Sequence, residues 1–330
     1  SIDFREKAPF SASETMFLDK EGNYNADKAQ HSLHSVGVPG TVAGLEYIRK
    51  NYGKLSRKEV IQPAINLARD GIIVTGELEE SLRKVKKIMR KSPSSFKTYY
   101  KKNGETYTKG EVLKQPELAW SLKQISEHGK SAFYEGAIAK KIISMMELNN
   151  GLITSRDLKE YKVKVRKPIH GKYRNFEVYT MPPPSSGGIH LVQLLNIVEG
   201  YPLQKMKHNS EKTIHIMAEA MKVAYADRSY YLGDPDFNNI STEKLISKKY
   251  ASKVRKAISH DTITPSKALK PGNYFPKEES PETTHLSIVD SYGNAVAMTY
   301  TLNFSYGCKI TVPGTGILLN NQMDDFSAKP

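Results

Sequence analysis

Apolar residues recur three or four positions apart along much of the chain, with charged residues between them, and this spacing is that of amphipathic helices. The pattern predicts helices over residues 60–71, 78–89, 118–128, 137–148 and 214–231. A short helix is predicted after Thr154, because Asp157 follows three positions later, as in an N-terminal capping box. Residues 163–165 and 173–179 are predicted to be strands. Together these elements predict a large helical layer with strands between and after the helices.

Over residues 282–301 the pattern changes to alternating apolar and polar positions, on both sides of a central Tyr-Gly-Asn turn. We therefore predict a β-hairpin with hydroxyl groups along one face. Pairing centred on Tyr292 places Thr283 opposite Thr301 at the open end of the hairpin. A shift of one residue would turn Thr301 to the other face, so this prediction depends on the register.

Thr283 is a candidate nucleophile only if its hydroxyl is activated, because the hydroxyl of a threonine within a chain has a high pKa. Cleavage of the peptide bond after Glu282 would give Thr283 a free α-amino group within reach of its own Oγ. Thr301 would then hold the Thr283 hydroxyl by a hydrogen bond across the strands. The alternative is that both threonines occupy the hairpin because β-branched residues fit pleated sheets.

The 330 residues carry a formal net charge of +14, which is compatible with an anionic partner such as nucleic acid or membrane lipid. The lysines are spread along the chain at helical spacing, so solvated helix faces explain them better, and no nucleic-acid partner is predicted. No apolar run reaches the ~18 residues of a membrane-spanning helix, so no membrane span is predicted. The single Cys308 rules out an internal disulfide.

The hairpin belongs to a longer series of motifs. Thr283-Thr284-His285 is followed by Ser-x-x-Asp-x-x-Gly-Asn-Ala-Val and by Thr-Tyr-Thr-x-Asn-x-x-Tyr-Gly. Further motifs occupy residues 3–9, 37–44, 182–188, 218–229 and 316–327. The series closely resembles the γ-glutamyltranspeptidases, which are N-terminal nucleophile hydrolases. It covers the whole chain in the family's order, with the small subunit beginning at Thr283 and the glutamyl-recognition segment at residues 316–327.

This resemblance implies an α+β fold, the four-layer αββα sandwich of the N-terminal nucleophile hydrolases. Residues 1–282 would be a large-subunit portion and residues 283–330 the start of the small subunit, and the two would form a heterodimer after cleavage. The chain is expected to be an internal portion that lacks both ends of such an enzyme. By analogy with bacterial relatives, the protein is expected to be periplasmic or secreted.

The resemblance also implies a binding site for the γ-glutamyl group. Arg5 would bind the donor's α-carboxylate through its planar fork, and Asp325 would bind the α-ammonium group. Asn303 and Gln322 would add neutral acceptors that fix the direction of this group. Taken singly, each has a plainer explanation: Arg5 as a surface residue, Asn303 as a turn residue and Asp325 as a solvated loop residue.

The reaction implied is γ-glutamyl transfer and hydrolysis of glutathione and related compounds through a γ-glutamyl-threonine ester. Water, an amino acid or a dipeptide would accept the group, and no metal or organic cofactor would be needed. The family's Gly-Gly oxyanion motif would lie beyond Pro330, so full activity is expected only when that part is supplied.

Three alternatives remain open at the level of the sequence. A relative of the same fold would use another acyl donor, such as poly-γ-glutamate or a β-lactam side chain, although the Arg5 and Asp325 pair favours a free glutamyl end. An unprocessed or degenerate family member would act as a binding or structural protein. A nucleic-acid-binding protein is suggested only by the net charge.

Overall fold

The computed structural model describes residues 1–269 and 283–326. These residues form two compact units. The smaller unit is made of Ser1 and the described part of Val165–Glu279, and the larger unit of Ile2–Lys164 and the described part of Ser280–Pro330. The predicted connector at residues 271–281 and the predicted cleavage-site residue Glu282 lie outside the described residues.

In chain order, the helices are α1 (Ala26–His31), α2 (Thr41–Tyr52), α3 (Arg57–Asp70), α4 (Gly76–Met89), α5 (Pro93–Tyr99), α6 (Pro116–His128), α7 (Lys130–Tyr134), α8 (Ala137–Leu148), α9 (Ser155–Lys159), α10 (Gly187–Val198), α11 (Leu203–Met206), α12 (Glu211–Tyr231), α13 (Thr242–Leu245) and α14 (Lys248–Ala257). The strands are β1 (Ile2–Asp3), β2 (Ile72–Ile73), β3 (Val112–Leu113), β4 (Lys164–Val165), β5 (Ile169–Tyr173), β6 (Phe176–Thr180), β7 (Thr284–Val289), β8 (Ala295–Tyr300), β9 (Thr311–Val312) and β10 (Ile317–Leu318). Short 3-10 helices occupy Leu33–Ser35, Ser266–Ala268 and Gln322–Asp325.

The helices predicted from the sequence period are confirmed as α3, α4, α6, α8 and α12. Local capping explains where several of them begin: Ser56 and Glu59 form a capping box before α3, and the Thr75 side chain caps α4. The predicted capping box of Thr154 and Asp157 is also confirmed, at the start of α9. None of the helices in the described parts of the chain combines the length and apolar character that crossing a bilayer requires.

The single strand predicted over residues 173–179 is wrong. The chain instead reverses at Arg174, whose φ of 52° lies in the left-handed region, and β5 pairs with β6 in an antiparallel hairpin. Tyr173 therefore lies opposite Phe176, at the turn between the two strands. A tight turn formed without glycine has no strong sequence signal, so the predicted strand ran through the turn and included only the last residue of β5.

The core of the larger unit joins its helices to the C-terminal segment of the chain. Phe133, Ile138 and Ile142 of α7 and α8 are buried in one apolar cluster with Val312 and Leu319. Burial of these side chains is the main stabilising term available to the segment, since β9 and β10 are only two residues long. The cluster therefore fixes residues 308–319, which include the start of the predicted recognition segment at residues 316–327.

In the smaller unit, α10 packs against α12, α14 and β5. Its apolar core includes Ile197 from α10, Ile216 and Ala220 from α12, and Ala251 and Val254 from α14. The mixed helix and strand content of the chain agrees with the predicted α+β class.

Candidate active site

The predicted hairpin is present, and its predicted register is confirmed. Strand β7 pairs antiparallel with β8, with Val289 opposite Ala295 and Thr284 opposite Tyr300. At the turn, Gly293 has a φ of 82°, the positive value that the Tyr-Gly-Asn sequence predicts. The Asn294 side-chain amide donates a hydrogen bond to Asp290, and backbone N–H groups of the turn donate others. The Asn294 side chain first, and then these backbone groups, lower the pKa of Asp290.

This register places the two candidate catalytic threonines at the same open end of the hairpin. Thr283 directly precedes Thr284, and Thr301 directly follows Tyr300, the partner of Thr284. Thr283 is exposed. The Oγ1 atom of Thr301 accepts a hydrogen bond of 2.9 Å from the backbone N–H of Asn303.

A histidine on the hydroxyl-bearing face was missed at the level of the sequence. His285 lies opposite Thr299, and its Nδ1 atom is 2.6 Å from Thr299 Oγ1. Its Nε2 atom is 3.2 Å from Ser287 Oγ. Because side chains two positions apart in a strand share a face, His285 lies on the same face as Thr283. That alternation was available in the sequence and could have identified this residue.

Arg5, Gln322 and Asp325 are brought together in the larger unit. The Nη2 atom of Arg5 lies 3.3 Å from Oδ2 of Asp325, and Nε2 of Gln322 donates a hydrogen bond of 2.6 Å to the same oxygen. The Arg5 and Asp325 side chains are 44% and 46% exposed, so a ligand in solution can reach both charges. The three residues therefore form a small polar site with one cation and one anion side by side.

The guanidinium of Arg5 is held from a second side by Glu6, whose Oε1 atom accepts a hydrogen bond of 3.1 Å from Arg5 Nε. Burial raises the pKa of Glu6, and the positive charge of Arg5 opposes this rise. Glu6 packs against Gly37, where an added Cβ would come within 2.8 Å of the Glu6 side chain. Arg5 thus lies between two carboxylates, and Glu6 was not predicted to belong to the site.

The backbone of Arg5 is also fixed. Its N–H donates to Asp3 Oδ1 at 3.0 Å, and its carbonyl oxygen accepts a 2.8 Å hydrogen bond from the Tyr161 hydroxyl. Gly40 lies beside this contact, since an added Cβ would be 2.0 Å from the carbonyl oxygen of Phe4 and from the Tyr161 hydroxyl. Glycine is needed at position 40 because the backbone and Tyr161 approach it so closely.

Asn320 joins the N-terminal segment to the recognition segment. Its side-chain amide makes two hydrogen bonds with Gly37, accepting from the N–H at 2.9 Å and donating to the carbonyl oxygen at 2.8 Å. Its Oδ1 atom also accepts a 3.0 Å hydrogen bond from the N–H of Gln322. Asn320 is buried, so these polar groups pair with one another rather than with water.

Asn303 has a structural role, and it is not among the residues that contact Arg5 or Asp325 in the described contacts. Its side chain is buried, and its Nδ2 atom donates to the carbonyl oxygen of Asn321 at 3.1 Å. Its φ of 76° lies in the left-handed region, which supports the alternative interpretation as a turn residue. Through Thr301, Asn303 and Asn321, a continuous set of hydrogen bonds connects the open end of the hairpin with the segment that carries Gln322.

The adjacent carboxylates of Asp324 and Asp325 have different surroundings. Asp325 is exposed beside Arg5, whereas Asp324 is buried and accepts a hydrogen bond from the Tyr24 hydroxyl. The sequence suggested no difference between them, because Tyr24 lies 300 positions away.

A threonine at the open end of a hairpin, connected by hydrogen bonds to the segment that carries one of two paired opposite charges, is the arrangement expected of an N-terminal nucleophile hydrolase that recognises a zwitterion. Residues 1–330 match the family described as Gamma-glutamyltranspeptidase, and the chain belongs to this family. Its predicted family membership is therefore confirmed.

Two bacterial relatives named "Glutathione hydrolase proenzyme" illustrate the similarity. The protein from Escherichia coli (strain K12) is 48% identical over 100% of this chain, and the one from Pseudomonas sp. (strain A14) is 42% identical over 99%. In both cases the match covers 57% of the relative, so the chain spans a little over half the length of these curated relatives.

Solved structures give the same result for the fold. Helicobacter pylori gamma-glutamyltranspeptidase matches with a TM-score of 0.81 and 45% identity, covering 82% of this chain and 78% of that chain. Cephalosporin acylase from Bacillus halodurans matches with a TM-score of 0.85 and 28% identity, covering 100% of this chain and 59% of that chain. These similarities confirm the predicted fold of the N-terminal nucleophile hydrolases.

Proposed function

We propose that the full-length protein containing this chain is a γ-glutamyltransferase and glutathione hydrolase that uses Thr283 as its nucleophile. The observation that carries the proposal is the cluster of Arg5, Gln322 and Asp325, in which a cation and an anion are exposed side by side. Relatives with the name glutathione hydrolase support the same substrate class.

The charges of this cluster complement the free end of a γ-glutamyl donor. That end carries an α-carboxylate and an α-ammonium group on one carbon atom. Arg5 binds the carboxylate through its fork, and Asp325 binds the ammonium group. The two side chains pair with each other at 3.3 Å, and a donor bound between them would make a charge-assisted contact with each.

The chemistry then proceeds by acyl transfer in two stages. The α-amino group of Thr283 takes the proton from Oγ, and Oγ attacks the γ-carbonyl carbon of the donor. The bond to the leaving amine breaks as this amine receives the proton; with glutathione, it is Cys-Gly. Water, an amino acid or a dipeptide then attacks the γ-glutamyl ester and releases Thr283. Thr301 holds the Thr283 hydroxyl before the first attack and again once the second attack has released it.

Maturation requires cleavage between Glu282 and Thr283. Residues 1–282 then belong to a large subunit and residues 283–330 to a small subunit, and the word "proenzyme" in the names of relatives supports such processing. The shared apolar core supports a stable heterodimer, because Val312 and Leu319 lie on one side of the cut and Phe133 and Ile142 on the other. By family analogy, the mature enzyme is periplasmic or secreted.

A second acyl donor has to be considered because the chain is similar to a cephalosporin acylase. An acylase whose substrate side chain lacks a free α-carboxylate and α-ammonium group does not need paired opposite charges to bind it. The exposed Arg5 and Asp325 pair therefore favours a γ-glutamyl donor over such a side chain.

The test uses the full-length protein, with Thr283→Ala and Thr284→Ala variants beside it. Intact mass reports cleavage, and the release of a chromogenic anilide from its γ-glutamyl derivative reports turnover. We expect cleavage before Thr283 and turnover in the wild type and in Thr284→Ala, and neither in Thr283→Ala. A folded wild-type protein that stays intact and inactive would instead support the non-catalytic interpretation.

A further inference from the structure

The neighbouring carboxylates of the 3-10 helix Gln322–Asp325 contact different partners. Asp325 is exposed and contacts Arg5 and Gln322. Asp324 is only 3% exposed, and its Oδ1 atom accepts a hydrogen bond from the hydroxyl of Tyr24. One carboxylate is therefore available to a ligand, while the other connects the helix to a distant part of the chain.

Tyr24 is held in place independently of Asp324. It forms a β-bridge with Leu18, and the N–H of the next residue, Asn25, donates to Phe17 at 2.8 Å. Its ring packs against an apolar cluster that contains Phe17 and Met323. Met323 belongs to the same 3-10 helix, so the Tyr24 turn contacts this helix through both an apolar side chain and a carboxylate.

The Tyr24 hydroxyl acts as a donor in this contact. Burial, followed by the hydrogen bond to Asp324, raises the pKa of Tyr24 above its ordinary value. The hydroxyl therefore keeps its proton at neutral and moderately alkaline pH, and the hydrogen bond persists across that range.

We propose that Tyr24 is a positioning residue for recognition of the donor's α-ammonium group: it holds Asp324 inward and thereby fixes the direction in which Asp325 faces the donor. This inference depends on the proposed function. A 3-10 helix of four residues has few hydrogen bonds of its own, so its orientation depends on such contacts. Without the Tyr24 hydroxyl, the Asp324 carboxylate loses a buried hydrogen-bond donor, and the orientation of the helix that carries Asp325 is less firmly fixed.

The full-length protein is tested with ligands that have an α-amino group and with a ligand that lacks one. For Tyr24→Phe, we expect KM for the γ-glutamyl anilide to rise about tenfold, the scale of one lost hydrogen bond to a charged group, with little change in kcat. The inhibition constant of L-glutamate should rise by a similar factor. That of glutarate, which lacks the α-amino group, should not change. Tyr52→Phe, at a position 68% exposed, is the matched control and should leave all these values unchanged.

Two results would overturn the proposal: unchanged glutamate inhibition, or equal weakening of glutamate and glutarate, which would indicate general damage to the site. If Tyr24→Phe does not fold, Asp324→Asn provides the second test, because its amide oxygen still accepts the Tyr24 hydroxyl. For Asp324→Asn, the proposal requires an inhibition constant of L-glutamate close to that of the wild type. Complete loss of glutamate inhibition in this variant would contradict it. An inactive wild type would contradict the proposed function instead.

Discussion

The Nη2 atom of Arg5 lies 3.3 Å from the Oδ2 atom of Asp325, although 320 positions of sequence separate the two residues. Arg5 also contacts the Glu6 carboxylate at 3.1 Å, so it lies between two anions. Arg5, Gln322 and Asp325 form the recognition cluster, in which both charged side chains remain accessible to solvent. An exposed pair of this kind contributes little to stability. Its position beside Gln322 therefore supports the proposed role in ligand recognition.

Arg5→Lys tests whether the planar fork of Arg5 matters or only its charge. Lysine keeps the positive charge but makes no bidentate contact with a carboxylate. We expect KM for a γ-glutamyl anilide to rise roughly 10- to 100-fold, because at least one hydrogen bond to a charged group is lost. The free energy of unfolding should hardly change. Arg83→Lys is the matched control, since Arg83 pairs with Glu79 on the surface of α4 and should tolerate the change.

Gly40→Ala should damage the same site indirectly. The new methyl group would collide with the carbonyl oxygen of Phe4 and the hydroxyl of Tyr161, which holds Arg5 by its backbone. We expect a loss of about 1–3 kcal/mol in the free energy of unfolding, as for other overpacked sites. KM should rise in the same variant. Gly76→Ala is the control, because the nearest atom to its added Cβ is 3.9 Å away; equal effects of the two changes would contradict this explanation.

The hairpin could be predicted from the sequence in detail, down to its register. Its two arms alternate with a period of two, and the Tyr-Gly-Asn turn fixes the centre, so the pairing of Val289 with Ala295 follows from local information. The helices were predicted for a similar reason, because periodicity and caps such as Thr154 are local.

The contacts that build the recognition cluster could not be predicted from local patterns. Arg5 and Asp325 were connected only by the resemblance to a family, since nothing in the spacing of two residues 320 positions apart indicates contact. The different surroundings of Asp324 and Asp325 depend on Tyr24, and the role of Asn320 depends on Gly37. Such partners are chosen by the tertiary fold, which brings distant segments together.

Asn320→Ala tests the connection between the N-terminal and recognition segments. The change leaves the N–H and carbonyl groups of Gly37 and the N–H of Gln322 without their partner. Because buried polar groups without partners are costly, we expect the free energy of unfolding to fall by about 2–4 kcal/mol in urea titrations. Asn51→Ala, which removes an exposed contact with Tyr47 in α2, should cost far less. Equal losses in the two variants would contradict the role assigned to Asn320.

Glu46 gives a prediction for the dependence of stability on pH. Its carboxylate connects α2 to α3, accepting hydrogen bonds from Arg57 at 2.5 Å and from Arg49 at 3.0 Å. These two arginines, Arg57 first, lower the pKa of Glu46 from its ordinary value of 4.5 to about 2. Since the folded-state pKa is the lower one, this stabilisation is fully present above the unfolded-state value and is lost as the pH falls through about 2.

Glu46→Gln should therefore be less stable than the wild type by about 1 kcal/mol at neutral pH, a modest value because the contact is partly solvated. The difference should remain constant down to a pH near 4.5 and then shrink steadily as the pH approaches 2. Urea titrations of both proteins across this range measure it. In Glu80→Gln, which removes a single surface contact with Lys84, little difference is expected at any pH. A difference between wild type and Glu46→Gln that stayed constant to the acid end would show that packing, rather than charge, stabilises this position.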